Sequence, residues 1–198
     1  MTDIPALILA GGRSSRMGGG DKALMPLYGR PLLSHVLDRI RPQASCLLIN
    51  SNSDPSLFRD FGLPVRFDIL PDRPGPLAGI LTGLIWAKEQ GATHLLTAPC
   101  DTPFLPHDLI ERLSADLRSS SAEIAVARDL EQIHPVIALW PVRLAARLAS
   151  DLEAGTRSVY RWLKQFDTRE TQFAASHFSN LNTPADILAA EAKARLAA

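Results

Sequence analysis

Six short apolar runs, at residues 4–9, 46–50, 65–68, 94–98, 123–127 and 135–139, alternate along the chain with longer amphipathic stretches at 31–41, 77–88, 106–118, 142–152 and 158–164. This rhythm constrains the fold most, because strands separated by helices build a mostly parallel sheet covered on both faces. The expected class is α/β, a three-layer αβα sandwich with a Rossmann-like sheet. A last helix should follow Thr183-Pro184, with Thr183 as its cap and Pro184 in the first turn, where a missing N–H costs nothing. The connections at Gly91, 119–121 and 71–79 are too short for interdomain linkers, so the 198 residues read as one domain, 1–198.

Open α/β sheets bind ligands beyond the carboxyl ends of their strands. Here the first four runs end in Ala10-Gly11-Gly12, Asn50, Asp68 and Pro99-Cys100-Asp101, so four polar or glycine-rich motifs converge on one edge. The first opens a phosphate cradle: Leu7-Ile8-Leu9-Ala10-Gly11-Gly12-Arg13-Ser14-Ser15-Arg16-Met17-Gly18-Gly19-Gly20-Asp21-Lys22 places glycines, two arginines and a lysine directly behind an apolar strand. Glycines let the backbone approach a ligand, and consecutive N–H groups with cationic side chains suit an oligophosphate. It is not a P-loop, since Ala23 follows Lys22 where a hydroxyl would be needed for magnesium. Gly18, Gly20 and Ala23 match G-x-G-x-x-A only formally, because they begin nine residues after Leu9 rather than in the tight turn after the strand.

Composition narrows the classes further. Twenty-one basic residues balance twenty-one acidic ones, which argues against broad adhesion to nucleic acid or an anionic membrane. Cys46 and Cys100 fall in or near expected strands and read as packing residues, with neither a disulfide framework nor a zinc site. No apolar run approaches the roughly 18 to 20 residues that span a bilayer and no basic leader opens the chain, so a cytoplasmic protein is expected. Neither G-x-S-x-G nor H-E-x-x-H occurs, and His35, His94, His107 and His177 are scattered.

The opening stretch, continued through Ala23-Leu24-Met25 and Gly29-Arg30-Pro31-Leu32-Leu33, resembles the nucleotidyltransferase signature L-A-G-G-x-S-x-R-M-G-x-D-K-A-L…G-x-P-L-L. More closely, the chain resembles the molybdenum cofactor guanylyltransferase family. That likeness extends to Asn50, Asp68, Pro74-Gly75-Pro76-Leu77-Ala78-Gly79, Pro99-Cys100-Asp101-Thr102-Pro103, His134-Pro135 and Asn180-Leu181-Asn182-Thr183-Pro184, in the family's order. It implies the nucleotide-diphospho-sugar transferase (GT-A-like) sheet, an N-terminal half that binds GTP and a C-terminal half that binds molybdopterin. It also implies transfer of GMP from GTP to molybdopterin or Mo-molybdopterin with release of pyrophosphate, Mg²⁺ as cofactor, and contact with molybdenum-insertion proteins and molybdoenzyme chaperones.

On this resemblance Lys22 is the candidate partner of the α-phosphate, with Arg13 and Arg16 gripping the β- and γ-phosphates through bidentate guanidinium contacts. Asp101, held at a strand end, suits Mg²⁺, and Asn182 is a second candidate ligand. Leu9, Ala10, Gly11, Gly12, Asn50 and Asp68 line the expected GTP site. Asn50 and Asp68 also fit plain Asx-turns. Gly11 leaves room for a purine, since the cytidylyl relatives commonly read L-A-A-G where this chain reads L-A-G-G. The helix start at 74–80 favours an anion, with Gly79 either at the ligand or packed inside the helix. Asn180 and Asn182 are expected at the pterin edge, and Arg157, Arg161 and His134 at its phosphate. A transferase of the same fold with CTP or a sugar phosphate, and a non-catalytic nucleotide or molybdenum-cofactor binding protein, stay open as alternatives.

Overall fold

Which side chains of a strand are apolar decides how many layers can cover it. The computed structural model describes residues 3–11, 21–70 and 75–196, the side chains of 193–196 excepted. In chain order it contains β1 (Ala6–Leu9), a hairpin of β2 (Pro26–Leu27) and β3 (Arg30–Pro31), α1 (Leu32–Ile40), β4 (Leu47–Asn50), β5 (Val65–Arg66), α2 (Pro76–Glu89), β6 (His94–Pro99), α3 (Leu109–Arg118), β7 (Ile124–Arg128), β8 (Ile133–Pro141), α4 (Ala145–Glu153), α5 (Val159–Leu163), β9 (Thr168–Gln172) and α6 (Pro184–Leu196). All of β1 is buried, and because successive side chains point to opposite faces, Ala6 and Ile8 enter one core while Leu7 and Leu9 enter the other. The first core is shared with α1 and α3, the second with α2, α4 and α5. This is the expected three-layer αβα arrangement.

Seven strands form one sheet in the order β5-β4-β1-β6-β8-β7-β9. Only β8 runs against its neighbours: it pairs antiparallel with β6 and β7, and the remaining pairs are parallel. The carboxyl ends of β4, β1 and β6 therefore lie side by side, tied by bonds from Ala10 N–H to Asn50 O (2.8 Å) and from Cys100 N–H to Leu9 O (3.1 Å). Two glycines one helical turn apart let α2 lie on this sheet. A Cβ on Gly83 would stand 2.6 Å from Leu7 Cδ2 and 2.8 Å from Leu95 Cδ2. On Gly79 it would stand 2.5 Å from Leu9 Cδ2 and closer still to Asn50 Oδ1.

Several boundaries differ from the sequence expectation. The third run is a strand only over Val65–Arg66, so Asp68 sits in the loop beyond it. The helix expected from 106 begins at Leu109, and the one expected from 142 opens with a 3₁₀ turn, Val142–Leu144, before α4. β9 was not expected because Thr168–Gln172 is a charged edge strand with a single buried residue, which leaves no apolar alternation to read. The β2–β3 hairpin is too short for periodicity. Its mirror-image turn is visible only in Tyr28-Gly29, both at positive φ (50° and 73°). Leu27 of this hairpin and Leu32 at the start of α1 pack with Leu181 and Ile187, which fixes the start of α6 near the sheet's carboxyl edge.

Candidate active site

A cleft of about 1410 Å³ lies beyond the adjoining carboxyl ends of β1, β4 and β6 and extends to the start of β8. The strand order divides it: the end of β4 and the loop after β5 wall one side, β1 and β6 end at its middle, and β8 walls the other.

On the β4 side, Asn50 and Asn52 leave the strand two residues apart and grip the same carboxylate. Asn50 Nδ2 donates to Asp68 Oδ1 (3.0 Å) and Asn52 Nδ2 to Asp68 Oδ2 (2.7 Å), while Asp68 N–H returns a bond to Asn52 Oδ1 (3.0 Å). Ile69 N–H donates to the hydroxyl of Thr82 on α2 (3.0 Å), which anchors the loop. Each carboxylate oxygen keeps a lone pair for donors entering the cleft. Asn52, Ser53 and Leu57 line this wall and were not singled out in the sequence. The repeat Asn50-Ser51-Asn52 at a strand end was the available signal, since alternate residues there share a side.

At the middle, Asp21 caps a 3₁₀ turn, its Oδ1 accepting from Ala23 N–H (3.0 Å), and so directs Lys22 inward. Lys22 Nζ stands 2.5 Å from Asp101 Oδ2 and 2.5 Å from Asn182 Oδ1. Two segments 81 residues apart in sequence thus converge their oxygens on one cationic centre. The backbone enforces it: Leu181 N–H donates to Asp101 O (3.0 Å), and a capping box fixes the next residues. In that box Asp186 Oδ2 accepts from Asn182 N–H (2.9 Å) and Thr183 N–H (2.8 Å), while Thr183 Oγ1 accepts from Asp186 N–H (3.2 Å). Hydrogen bonding from Thr183, then from Asn182, holds the Asp186 carboxyl below its usual range. Thr183 is thereby the cap the sequence predicts.

One carboxylate and one amide oxygen, both already around an ammonium, form an all-oxygen donor set that fits a hard divalent cation with substrate oxygens completing its shell. Among the described residues no three His, Cys, Asp or Glu side chains gather to hold a metal ion, so substrate oxygens would have to complete the shell here. The neighbouring Cys100 thiol is buried, and burial pushes its pKa up, so it stays a protonated packing group.

On the β8 side the sheet is irregular. Val126 pairs with Ala138 but Ala127 pairs with His134, so Pro135–Val136–Ile137 loop out of register into the cleft. The bulge is held by a buried relay: Thr97 Oγ1 donates to Val136 O (2.5 Å) and accepts from Trp140 Nε1–H (2.8 Å).

The structure therefore brings Leu9, Gly11, Lys22, Asn50, Asp68, Asp101, His134 and Asn180 to one cleft, with Asn182 reaching it through Lys22. Gly12, Arg13 and Arg16 lie outside the described residues. One expectation is corrected. Gly79 does not line the cleft; it is buried beneath Asn50 and Leu9, where any side chain would collide. The side chain of Ala10 is 1% exposed and packs into the α1/α3 core, which leaves only its backbone toward the sheet's carboxyl edge. Arg157 turns from the cleft to bond Leu152 O and Thr156 O at the end of α4 (both 2.9 Å), and Arg161 on α5 is likewise outside the lining.

Comparison with known proteins gives the family and the fold. Residues 6–170 match the model of the MobA-like NTP transferase domain. A molybdenum cofactor guanylyltransferase from Rhodopseudomonas palustris (strain BisB5) is 46% identical over 193 residues, 94% of this chain and 92% of the relative. Among solved structures, molybdopterin-guanine dinucleotide biosynthesis protein A from Archaeoglobus fulgidus superposes with a TM-score of 0.77 at 20% identity, over 98% of this chain and 100% of that one. Rv0371c from Mycobacterium tuberculosis H37Rv, solved in complex with manganese, superposes with a TM-score of 0.69 at 19% identity, over 95% and 97%.

Proposed function

The chain belongs to the MobA-like NTP transferases, the family of the guanylyltransferases it matches, and we propose that it transfers GMP from GTP to the terminal phosphate of Mo-molybdopterin, releasing pyrophosphate. The observation that carries this reading is the convergence of Lys22, Asp101 and Asn182 on one point between two walls of different chemistry. The β4 wall, with the Asn50–Asp68–Asn52 cluster, takes guanine and ribose; the β8 wall and Asn180 take the acceptor. The N-terminal half thus serves GTP and the C-terminal half molybdopterin, within one domain.

An oxygen of the acceptor phosphate forms a bond to the α-phosphorus of GTP as the bond to the β-phosphate oxygen breaks, and the pyrophosphate carries away the electron pair. The acceptor is already anionic at neutral pH, so no base has to remove a proton. The obstacle is repulsion between two polyanions. The described lining holds three carboxylates, Asp21, Asp68 and Asp101, against a single permanent cation, Lys22, so further positive charge is required. Arg13 and Arg16 supply part of it from the glycine-rich loop. Asp101 and Asn182 would hold Mg²⁺, which when bound neutralises developing charge on the phosphate oxygens. Lys22, released from those two oxygens, has only to turn toward the α-phosphate, where an ammonium stabilises the transition state more than the ground state. Asp186 keeps Asn182 in place through the capping box.

The test is incubation of the purified protein with GTP, CTP, ATP or UTP, Mg²⁺ and Mo-molybdopterin, following pyrophosphate and dinucleotide. Guanine dinucleotide formed with GTP is the expected result. Turnover with CTP in place of GTP overturns the base assignment, and nucleotide binding without product under any condition overturns the enzyme reading.

A further inference from the structure

The sequence expectation names His134 at the acceptor's phosphate, but neither which ring atom would meet it nor what holds the ring; on the β8 wall the structure pairs this histidine with a second titratable side chain. His134 Nε2 lies 2.9 Å from Asp129 Oδ2, and the two side chains are only 10% and 6% exposed. Asp129 is the hub of the β7–β8 turn. Its Oδ1 accepts from the N–H groups of Glu131 and Gln132 (2.8 Å each), and its own N–H donates to Gln132 O (3.0 Å). The Gln132 and Glu131 amides, and after them the imidazole, hold the Asp129 carboxyl below its usual range, so it is an anion throughout the neutral range.

The imidazole is fixed on a second side as well. The Phe178 ring lies 4.2 Å from it between centroids at a 33° tilt, and Phe173 backs Phe178 edge-on at 5.7 Å and 90°. One ring nitrogen is thus committed to a buried carboxylate and one ring face to an aromatic platform. His134 nevertheless lines the cleft, at the point where the bulge turns β8 toward it, whereas Asp129 does not line it. The strand order adds a location: β8 is hydrogen-bonded to β6, which runs into Asp101, on the side away from the Asn50–Asp68 cluster. The ring therefore borders the reaction centre from the side an acceptor must use.

With Nε2–H donated to Asp129, the atom left for a ligand is Nδ1. In the protonated ring Nδ1–H is a donor too, and a hydrogen bond from a cation to phosphate is among the stronger ones available. We propose that His134 binds the acceptor's phosphate monoester through Nδ1–H, with Asp129 as the positioning residue that fixes the ring and balances its charge. This inference rests on the acceptor assigned above. No proton passes to a reacting atom; the pair lends a donor and a compensated positive charge to the acceptor phosphate, on the opposite side of the centre from the Asn50–Asp68 cluster.

The experiment compares wild type, His134→Gln and Asp129→Asn in steady state with GTP, Mg²⁺ and Mo-molybdopterin, with GTP affinity measured separately. Loss of a hydrogen bond to a charged group predicts an acceptor KM raised about tenfold to a hundredfold in both variants, with the KM for GTP within about twofold of wild type. An acceptor KM unchanged in folded His134→Gln overturns the proposal. Because Asp129→Asn also touches the turn, wild type is examined independently by ¹⁵N-histidine NMR. Addition of molybdopterin without GTP should shift the His134 Nδ1 resonance, and no change overturns the proposal. If wild type forms no dinucleotide at all, the acceptor reading falls and this inference falls with it; if wild type turns over and His134→Gln behaves identically, only this inference falls.

Discussion

Gly11→Ala separates the demands of the fold from those of the nucleotide. Gly11 follows β1 at the mouth of the cleft, its φ is not in the left-handed region, and among the described residues a Cβ built there meets only Asn52 Nδ2, at 4.0 Å, an ordinary contact. The substitution therefore strains nothing among the described residues and should change stability by no more than about 0.5 kcal/mol, the usual range for an exposed site. The added methyl instead occupies cleft space beside Asn52, on the wall assigned to the base. One methyl too many in a fitted site costs about 1–3 kcal/mol, which is roughly a 10- to 200-fold loss in kcat/KM for GTP. A pyrimidine ring leaves that space empty, so the value for CTP should fall less or rise. The assay is pyrophosphate release at saturating acceptor with GTP and with CTP, alongside a thermal melt. A variant that melts like wild type and keeps the wild-type ratio of GTP to CTP use would refute the idea that the room beside Gly11 selects the base.

Lys22→Ala and Asp101→Ala should each lower kcat with GTP by at least about a hundredfold, the scale for removing a preorganised electrostatic partner; near-normal rates in either folded variant would mean that the converging triad is not the reaction centre. Thr97→Val keeps shape but orphans Trp140 N–H and Val136 C=O in the interior, at about 1–3 kcal/mol for each unsatisfied group; a denaturation midpoint equal to wild type would show that the relay does not hold the bulge. Acid stability follows from Asp129, Asp186 and Asp54, whose folded-state carboxyls lie below their ordinary values, chiefly through hydrogen bonds to Gln132, Thr183 and Ser56 respectively. Their contribution is complete above the unfolded value and lost as pH falls through the folded ones, so melting temperature should drop from about pH 4 downward. A drop beginning above pH 6 would point to another group.

How far the sequence reaches can be seen residue by residue. Apolar runs alternating with amphipathic ones were enough for the αβα layering, because burial on two faces is written in local composition. Gly11, Asn50 and Asp101 were legible as residues of the cleft because a strand end in such a sheet is a place as well as a motif. Gly79 carried the same kind of signal and misled, since a glycine that admits a ligand and one that admits a neighbouring strand look alike until the helix is laid on Asn50 and Leu9. Asn52 was missed because its value lies in sharing the Asp68 carboxylate, which depends on a loop sixteen residues away.

The sequence alone determined the fold class, the cap of the last helix and the chemistry on offer at the strand ends, since each depends on residues near one another along the chain. Only the tertiary structure decided which of these meet. It placed Asn182 and Asp101 on the same ammonium, turned Arg157 away to a helix end, and used a register shift to bring His134 to the cleft with Asp129 behind it. Such meetings are set by strand order and by which buried polar groups must be satisfied, and neither is encoded in the spacing of residues along one segment.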